Sequence, residues 1–194
     1  IGSSMAPGEQ PALWVAGFAQ DSIVDGPGLR LTVFCQGCPH HCPGCQNPET
    51  WPFEGDRAVL PQEIAALAGQ DPLVRGVTLS GGEPFAQAEG CAALARLLKA
   101  RGYELATYTG YTFEELLAGT PAQKRLLEQI DILVDGRFVQ AERSLELRFR
   151  GSRNQRILDV PKSLAAGGGG RPALGGRGLT RALGSKKTYQ AAGP

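Results

Sequence analysis

Val74-Arg75-Gly76-Val77-Thr78-Leu79-Ser80-Gly81-Gly82-Glu83-Pro84 is a short β-branched run that stops at a glycine pair, an acid and a proline. Val74 to Leu79 predicts a buried strand, and Pro84 ends it and sets up a helix. In the text that follows, Cys91, Leu94, Ala95 and Leu98 fall at i, i+3, i+4 and i+7, one apolar helical face. Strand, glycine turn and helix make one β-α unit, and the flanking text repeats the pattern.

Upstream, Ala12 to Phe18 and Leu29 to Phe34 read as strands separated by the turn Asp25-Gly26-Pro27-Gly28, and Pro61 to Ala68 reads as a helix with proline in its first turn. Downstream, Glu104 to Thr109 is a strand ending at Gly110-Tyr111, and Phe113 to Ala118 and Ala122 to Gln129 are helical. Ile130 to Val134 is an aliphatic strand ending at Asp135-Gly136, followed by strand text at Leu145 to Phe149 and Arg156 to Val160. Strands alternating with helices predict parallel β-α units. Roughly 150 usable residues are too few for the ~250 of an eightfold barrel, so the expected fold is α/β, an incomplete β/α TIM-like barrel.

The chain of 194 residues is long enough for one domain with a real core. Residues 11–164 are expected to form it. Residues 1–10, in which Ile1-Gly2-Ser3-Ser4 precedes Met5, read as a tag remnant and a flexible start. Residues 165–194 are a Gly-rich basic tail, with a glycine run at Gly167 to Gly170 and Arg171, Arg177, Arg181, Lys186 and Lys187 unopposed by any acid. That composition predicts a flexible, solvated segment, the alternative being a partner-contacting one. A formal charge of +1 argues against a general nucleic-acid binder. No apolar run approaches a membrane span.

The strand Leu29 to Phe34 runs directly into Gly37-Cys38-Pro39-His40-His41-Cys42-Pro43-Gly44-Cys45, a C-x3-C-x2-C pattern. A four-iron cluster has four corners, and this loop supplies thiolates for three. Electron-transfer clusters usually fill all four with cysteine, so three point to chemistry at the open iron. The competing reading is Cys3His zinc, with His40 or His41 as fourth ligand. A disulfide framework does not suit five cysteines, three of them crowded together, behind an N-terminus that does not read as a secretion signal. Clustered reduced thiols fit a cytoplasmic location. Cys91 belongs to the apolar helix face and Cys35 to a strand end, so both are expected to be structural.

Every informative loop follows a strand, which in β/α folds puts them all on the C-terminal face where ligands bind. The cysteine loop, the Ser80 to Pro84 turn, Thr109-Gly110-Tyr111 and Asp135-Gly136-Arg137 would converge on one mouth. Gly81 and Gly82 allow close approach of backbone to a ligand. Their backbone groups could hold an amino-acid head group, with Glu83 as the negative partner of its ammonium.

These motifs resemble those of the activating proteins of anaerobic (class III) ribonucleoside-triphosphate reductases, small radical S-adenosylmethionine enzymes. The resemblance runs from about Ile23 to Leu164. It comprises Val24 to Gly28, Gly37 to Cys45, Asn47-Pro48-Glu49-Thr50-Trp51, Leu79 to Pro84, Thr109 to Tyr111, Val134-Asp135-Gly136-Arg137-Phe138-Val139 and Arg150-Gly151-Ser152-Arg153-Asn154-Gln155-Arg156. The first several are shared with other glycyl-radical activators; the last two favour the reductase activator.

The resemblance implies a partial barrel of the radical S-adenosylmethionine type and a [4Fe-4S] cluster on Cys38, Cys42 and Cys45. The amino and carboxylate groups of S-adenosylmethionine would chelate the open iron. It implies that Gly81, Gly82 and Glu83 hold the methionine amino group, and that Thr109, Gly110 and Tyr111 with Asp135, Gly136 and Arg137 line the cofactor. Asp135 and Arg137 would lie near the methionine carboxylate, and Asp25 would orient the incoming peptide.

The implied reaction is reductive cleavage of the cofactor to a 5′-deoxyadenosyl radical, which takes a Cα hydrogen from a glycine of the large reductase subunit. An electron donor such as flavodoxin or ferredoxin is expected, and neither membrane nor nucleic acid. Another glycyl-radical partner and a non-catalytic metal-binding module are the alternatives. Three departures stand out: Gly44 where many radical enzymes carry an aromatic residue, Arg153 where a second serine is common, and a tail beyond Leu164 without a counterpart.

Overall fold

The computed structural model describes residues 12–22, 29–43, 45, 48–50, 52, 57–143, 150 and 152–166. The strand expected at Leu145 to Phe149, the glycine-rich tail, Asp25, Gly44, Asn47 and Trp51 lie outside the described residues.

Among the described residues seven strands form one mixed sheet: β1 (Leu13–Ser22), β2 (Arg30–Cys35), β3 (Ala58–Val59), β4 (Gly76–Gly81), β5 (Glu104–Tyr108), β6 (Ile132–Asp135) and β7 (Arg156–Asp159), in the order β3-β1-β2-β4-β5-β6-β7. The helices are α1 (Pro61–Ala68), α2 (Ala88–Ala100), α3 (Phe113–Leu117), α4 (Pro121–Gln129) and α5 (Val160–Ala165). The expected parallel units are β2, β4, β5 and β6, each paired in parallel with the next. β1 and β7 flank them antiparallel, and β3 pairs antiparallel with β1 at the edge. The barrel is therefore partial.

Strand alternation gives the sheet two different faces. Leu31, Val33, Cys35, Val77, Leu79, Leu105, Leu133 and Leu158 pack with Ile64 and Ala65 of α1, Cys91, Leu94, Ala95 and Leu98 of α2, and Leu126 and Leu127 of α4. All four residues of the α2 stripe are fully buried. Cys35 and Cys91 are core residues in contact with each other; that contact, then burial, holds the Cys91 thiol well above its ordinary value.

The opposite face carries Arg30, Thr32, Thr78 and Ser80, all buried. Arg30 lies at the N-terminal end of β2, beside Gly76 of β4, which in turn neighbours Glu104 of β5. Its guanidinium donates to Thr78 Oγ1 at 2.9 Å, Glu104 Oε1 at 2.9 Å and Val77 O at 3.1 Å. Burial lowers its pKa, and Glu104 works against that shift.

Helix ends follow local chemistry. Thr112 caps α3 by accepting from Glu115 N, and Thr120 with Gln123 forms a capping box on α4. Asp159 ends β7 and caps α5, accepting from Lys162 N. That cap turns the expected strand Arg156 to Val160 into a four-residue strand followed by a short helix.

Candidate functional site

The cysteine loop leaves the C-terminal end of β2, and backbone contacts bind it to the neighbouring β4 turn. Gly82 N donates to Cys35 O at 2.8 Å, and Glu83 N to Gly37 O at 2.7 Å. Gly81 has φ +85°, and a Cβ on Gly82 would stand 2.3 Å from Gly37 O. The close approach expected toward a ligand is thus also made toward the cysteine loop. No side chain larger than hydrogen fits between these two backbones.

Within the loop, Cys45 N donates to Cys42 O at 3.0 Å, and His41 turns the chain at φ +46°. Burial pushes the Cys38 thiol up, while the His40 and His41 amides directed at its sulfur pull it down. Amides aimed at a ligand sulfur also tune a cluster's potential.

Glu83 is the fully buried centre of the site. Its carboxylate accepts from Gly110 N at 2.7 Å, Thr109 Oγ1 at 2.9 Å and Phe85 N at 3.1 Å, and pairs with His40 Nε2 at 2.7 Å. One side chain thereby joins the cysteine loop, the glycine turn and the loop after β5.

Cys38, Cys42, Cys45, Gly81, Gly82, Glu83, Thr109 and Gly110 all line one open cavity, as the loop positions required. Gly136 lines it too, while its neighbours Asp135 and Arg137 are not among its lining residues. Asp135 is buried, and its Oδ2 accepts from Phe113 N at 2.8 Å while both oxygens bind Arg156. Arg137 is exposed.

Ser80, part of the turn expected at the mouth, lines the cavity, as do Tyr108, Phe138 and Gln155, which the sequence singled out for no role, and His40, weighed only as a zinc ligand. The Arg150 to Arg156 motif held a signal for Gln155. Gln155 Nε2 donates to Gly136 O at 2.9 Å, Asn154 Nδ2 to Arg137 O at 2.8 Å, and Ser152 Oγ accepts from Val139 N at 3.1 Å. The motif is a clamp on the loop after β6. Arg153, where a second serine is common, has an exposed side chain, and its amide donates to Glu142 O at 3.0 Å.

Arg156 also binds Glu114, donating to Oε2 at 2.6 Å, which holds that carboxyl below its ordinary value of 4.5. A depressed carboxyl stabilises the fold above its unfolded pKa, and the gain is lost as pH falls through the lowered one. The parent should therefore lose more stability below pH 4.5 than Glu114→Gln does, by a small margin because both side chains of this pair are partly exposed. Urea midpoints between about pH 3 and 6 measure this, and parallel profiles would refute it.

The three thiols fit a cluster better than a single ion. Among the described residues no group of three or more His, Cys, Asp or Glu side chains is placed to hold one metal ion, and Nε2 of His40 is engaged by Glu83. Cluster ligands sit on separate irons, which suits thiols spread along a loop.

Residues 24–158 match the family model described as a 4Fe-4S single cluster domain. The anaerobic ribonucleoside-triphosphate reductase-activating protein of Vibrio cholerae is 39% identical over 143 residues, 70% of this chain and 90% of that protein. The Escherichia coli K12 protein of the same name is 38% identical over 69% of this chain and 90% of its own length. That of Enterobacteria phage T4 is 33% identical over 70% and 86%. Among solved structures, QueE from Escherichia coli aligns over 52% of this chain and 54% of its own, with 23% identity and a TM-score of 0.45. A matched cluster domain, and relatives of one name aligned along most of their length, assign this chain to the anaerobic ribonucleoside-triphosphate reductase-activating proteins, radical S-adenosylmethionine enzymes with a [4Fe-4S] cluster.

Proposed function

We propose that the chain generates a glycyl radical on the large subunit of an anaerobic ribonucleoside-triphosphate reductase. The observation that carries this reading is the convergence of three cysteines with Gly81, Gly82, Glu83, Thr109 and Gly110 on one open cavity. Cys38, Cys42 and Cys45 hold the cluster, and the glycine turn with Glu83 takes the methionine amino group. Arg137, exposed beside Gly136, supplies the cation for the methionine carboxylate. Asp135 sets the path of that loop through Arg156 and the Phe113 amide.

When bound, the cluster and S-adenosylmethionine supply one-electron cleavage of a carbon–sulfur bond and the hydrogen-abstracting radical. The protein's share is to hold the cofactor still and present a mouth that a peptide loop can enter. A glycine is a suitable target because no side chain shields its Cα. The reductant is a small electron-transfer protein of the flavodoxin or ferredoxin kind. The setting is cytoplasmic; among the described residues no helix is long and apolar enough to cross a membrane.

The test is anaerobic reconstitution with S-adenosylmethionine, a strong reductant and the large reductase subunit, beside Cys42→Ala. The parent should form 5′-deoxyadenosine and a glycyl radical signal on the reductase, and the variant neither. Cleavage retained by Cys42→Ala would sink the reading.

A further inference from the structure

We infer that His40 is a positioning residue that bolts the cysteine loop to the cofactor-holding loops, and that Gly110 is glycine to make room for it. This rests on the reading that Glu83 and its neighbours hold S-adenosylmethionine.

His40 lies between two cluster cysteines, yet its side chain is only 4% exposed and reaches Glu83. Nε2 sits 2.7 Å from Glu83 Oε1. The ring meets Tyr111 edge-on, with centroids 4.6 Å apart. It also fills the space over Gly110, where a Cβ would come within 2.4 Å of the imidazole. Two loops, the turn after β4 and the loop after β5, therefore grip one side chain from the cysteine loop.

Glu83 also accepts from Gly110 N at Oε1 and from Phe85 N at Oε2, and the Thr109 hydroxyl, 2.9 Å from both oxygens, can turn aside to leave a position for an ammonium. Among these partners, His40 alone comes from the loop that carries the cysteines. Without it, only the backbone bonds Glu83 N to Gly37 O and Gly82 N to Cys35 O join the two loops among the contacts described, and the Glu83 carboxylate loses its side-chain link to the cysteine loop.

The test is the affinity of the reconstituted full chain for S-adenosylmethionine, read from the change in the reduced cluster's EPR spectrum, with iron content and Tm recorded for each variant. His40→Ala should bind about tenfold more weakly, the scale of a lost hydrogen bond to a charged group. His40→Gln, which keeps a donor near Glu83, should stay within about threefold of the parent.

Gly110→Ala should weaken binding about tenfold by expelling the ring. The double variant His40→Ala/Gly110→Ala should be no worse than His40→Ala, because the clash is gone. Unchanged affinity in His40→Ala, no rescue by glutamine, or multiplied losses in the double variant would each overturn the inference. If His40→Ala fails to hold the cluster, His40→Gln decides: near-parental affinity supports the role, and a tenfold loss refutes it. A parent chain with an intact cluster and no response to S-adenosylmethionine would instead remove the reading beneath it, and this inference with it.

Discussion

Glu83→Ala is expected to lower the stability of the chain by about 2–4 kcal/mol and its 5′-deoxyadenosine formation by about a hundredfold or more. The carboxylate is fully buried and satisfies donors from three loops. The Thr109 hydroxyl can turn elsewhere, whereas the Phe85 and Gly110 amides are fixed by the backbone and the His40 ring is held by Gly110 and Tyr111. Each amide left without an acceptor costs about 1–3 kcal/mol, and relief of the carboxylate's own burial offsets part of the sum.

Conservative replacements discriminate further. Glu83→Gln keeps the shape but turns one acceptor into a donor, which must face the Phe85 amide or the Gly110 and His40 donors. It should therefore fall close to alanine. Glu83→Asp keeps the charge but is one methylene too short to span the three loops. Equilibrium unfolding under anaerobic conditions at matched cluster content is the measurement. A Glu83→Gln chain within about 1 kcal/mol of the parent would show that the shared carboxylate does not hold these loops together.

Gly76→Ala should cost about 3 kcal/mol while leaving affinity for S-adenosylmethionine unchanged in the folded protein. A Cβ there would stand 2.5 Å from Arg30 Nη1 and 2.6 Å from Cζ and Nη2. The guanidinium is sealed from solvent and bound to Thr78, Glu104 and Val77, so it cannot slide aside without losing those bonds. Breaking a buried charged network costs more than a surface pair, although the half-exposed Glu104 can recover solvation.

Arg30 and Gly76 lie at the opening of β2 and β4, and the site at the far end, where Cys35 faces Gly81. They lie at the two ends of the six-residue β2, about 16 Å apart at the usual rise. In Arg30→Ala the three atoms nearest the added methyl are gone, so Arg30→Ala/Gly76→Ala should be no less stable than Arg30→Ala alone. Additive losses in that cycle would mean that Gly76 is required for a reason other than Arg30.

Much of this molecule is legible in its residues because the relevant physics is local. The α2 stripe Cys91, Leu94, Ala95, Leu98 has helical spacing, and each member is buried. Pro61 starts α1 where its fixed φ suits a first turn, and the expected Pro61 to Ala68 helix is the one observed. The cysteine spacing and the strand-end loops announced a single mouth, because parallel β-α units place every such loop on one face.

Other features were illegible for an equally physical reason. That β1 and β7 run antiparallel to their neighbours is set by sheet pairing, to which single-strand patterns are blind. Gly76 reads as an ordinary strand residue until Arg30, distant in sequence, is laid across it. His40 is a candidate ligand in the sequence and a partner of Glu83 in the fold. Asp135 is an acid at a strand end in the sequence, and in the fold it is held by Arg156 and the Phe113 amide.

Residue type and spacing by themselves determined the four parallel strands and the helices α1 to α4, that three thiols share a loop and that the loops meet. Which donor each carboxylate keeps was decided only by tertiary structure, because hydrogen bonds between chain-distant groups depend on register and burial that no local pattern encodes.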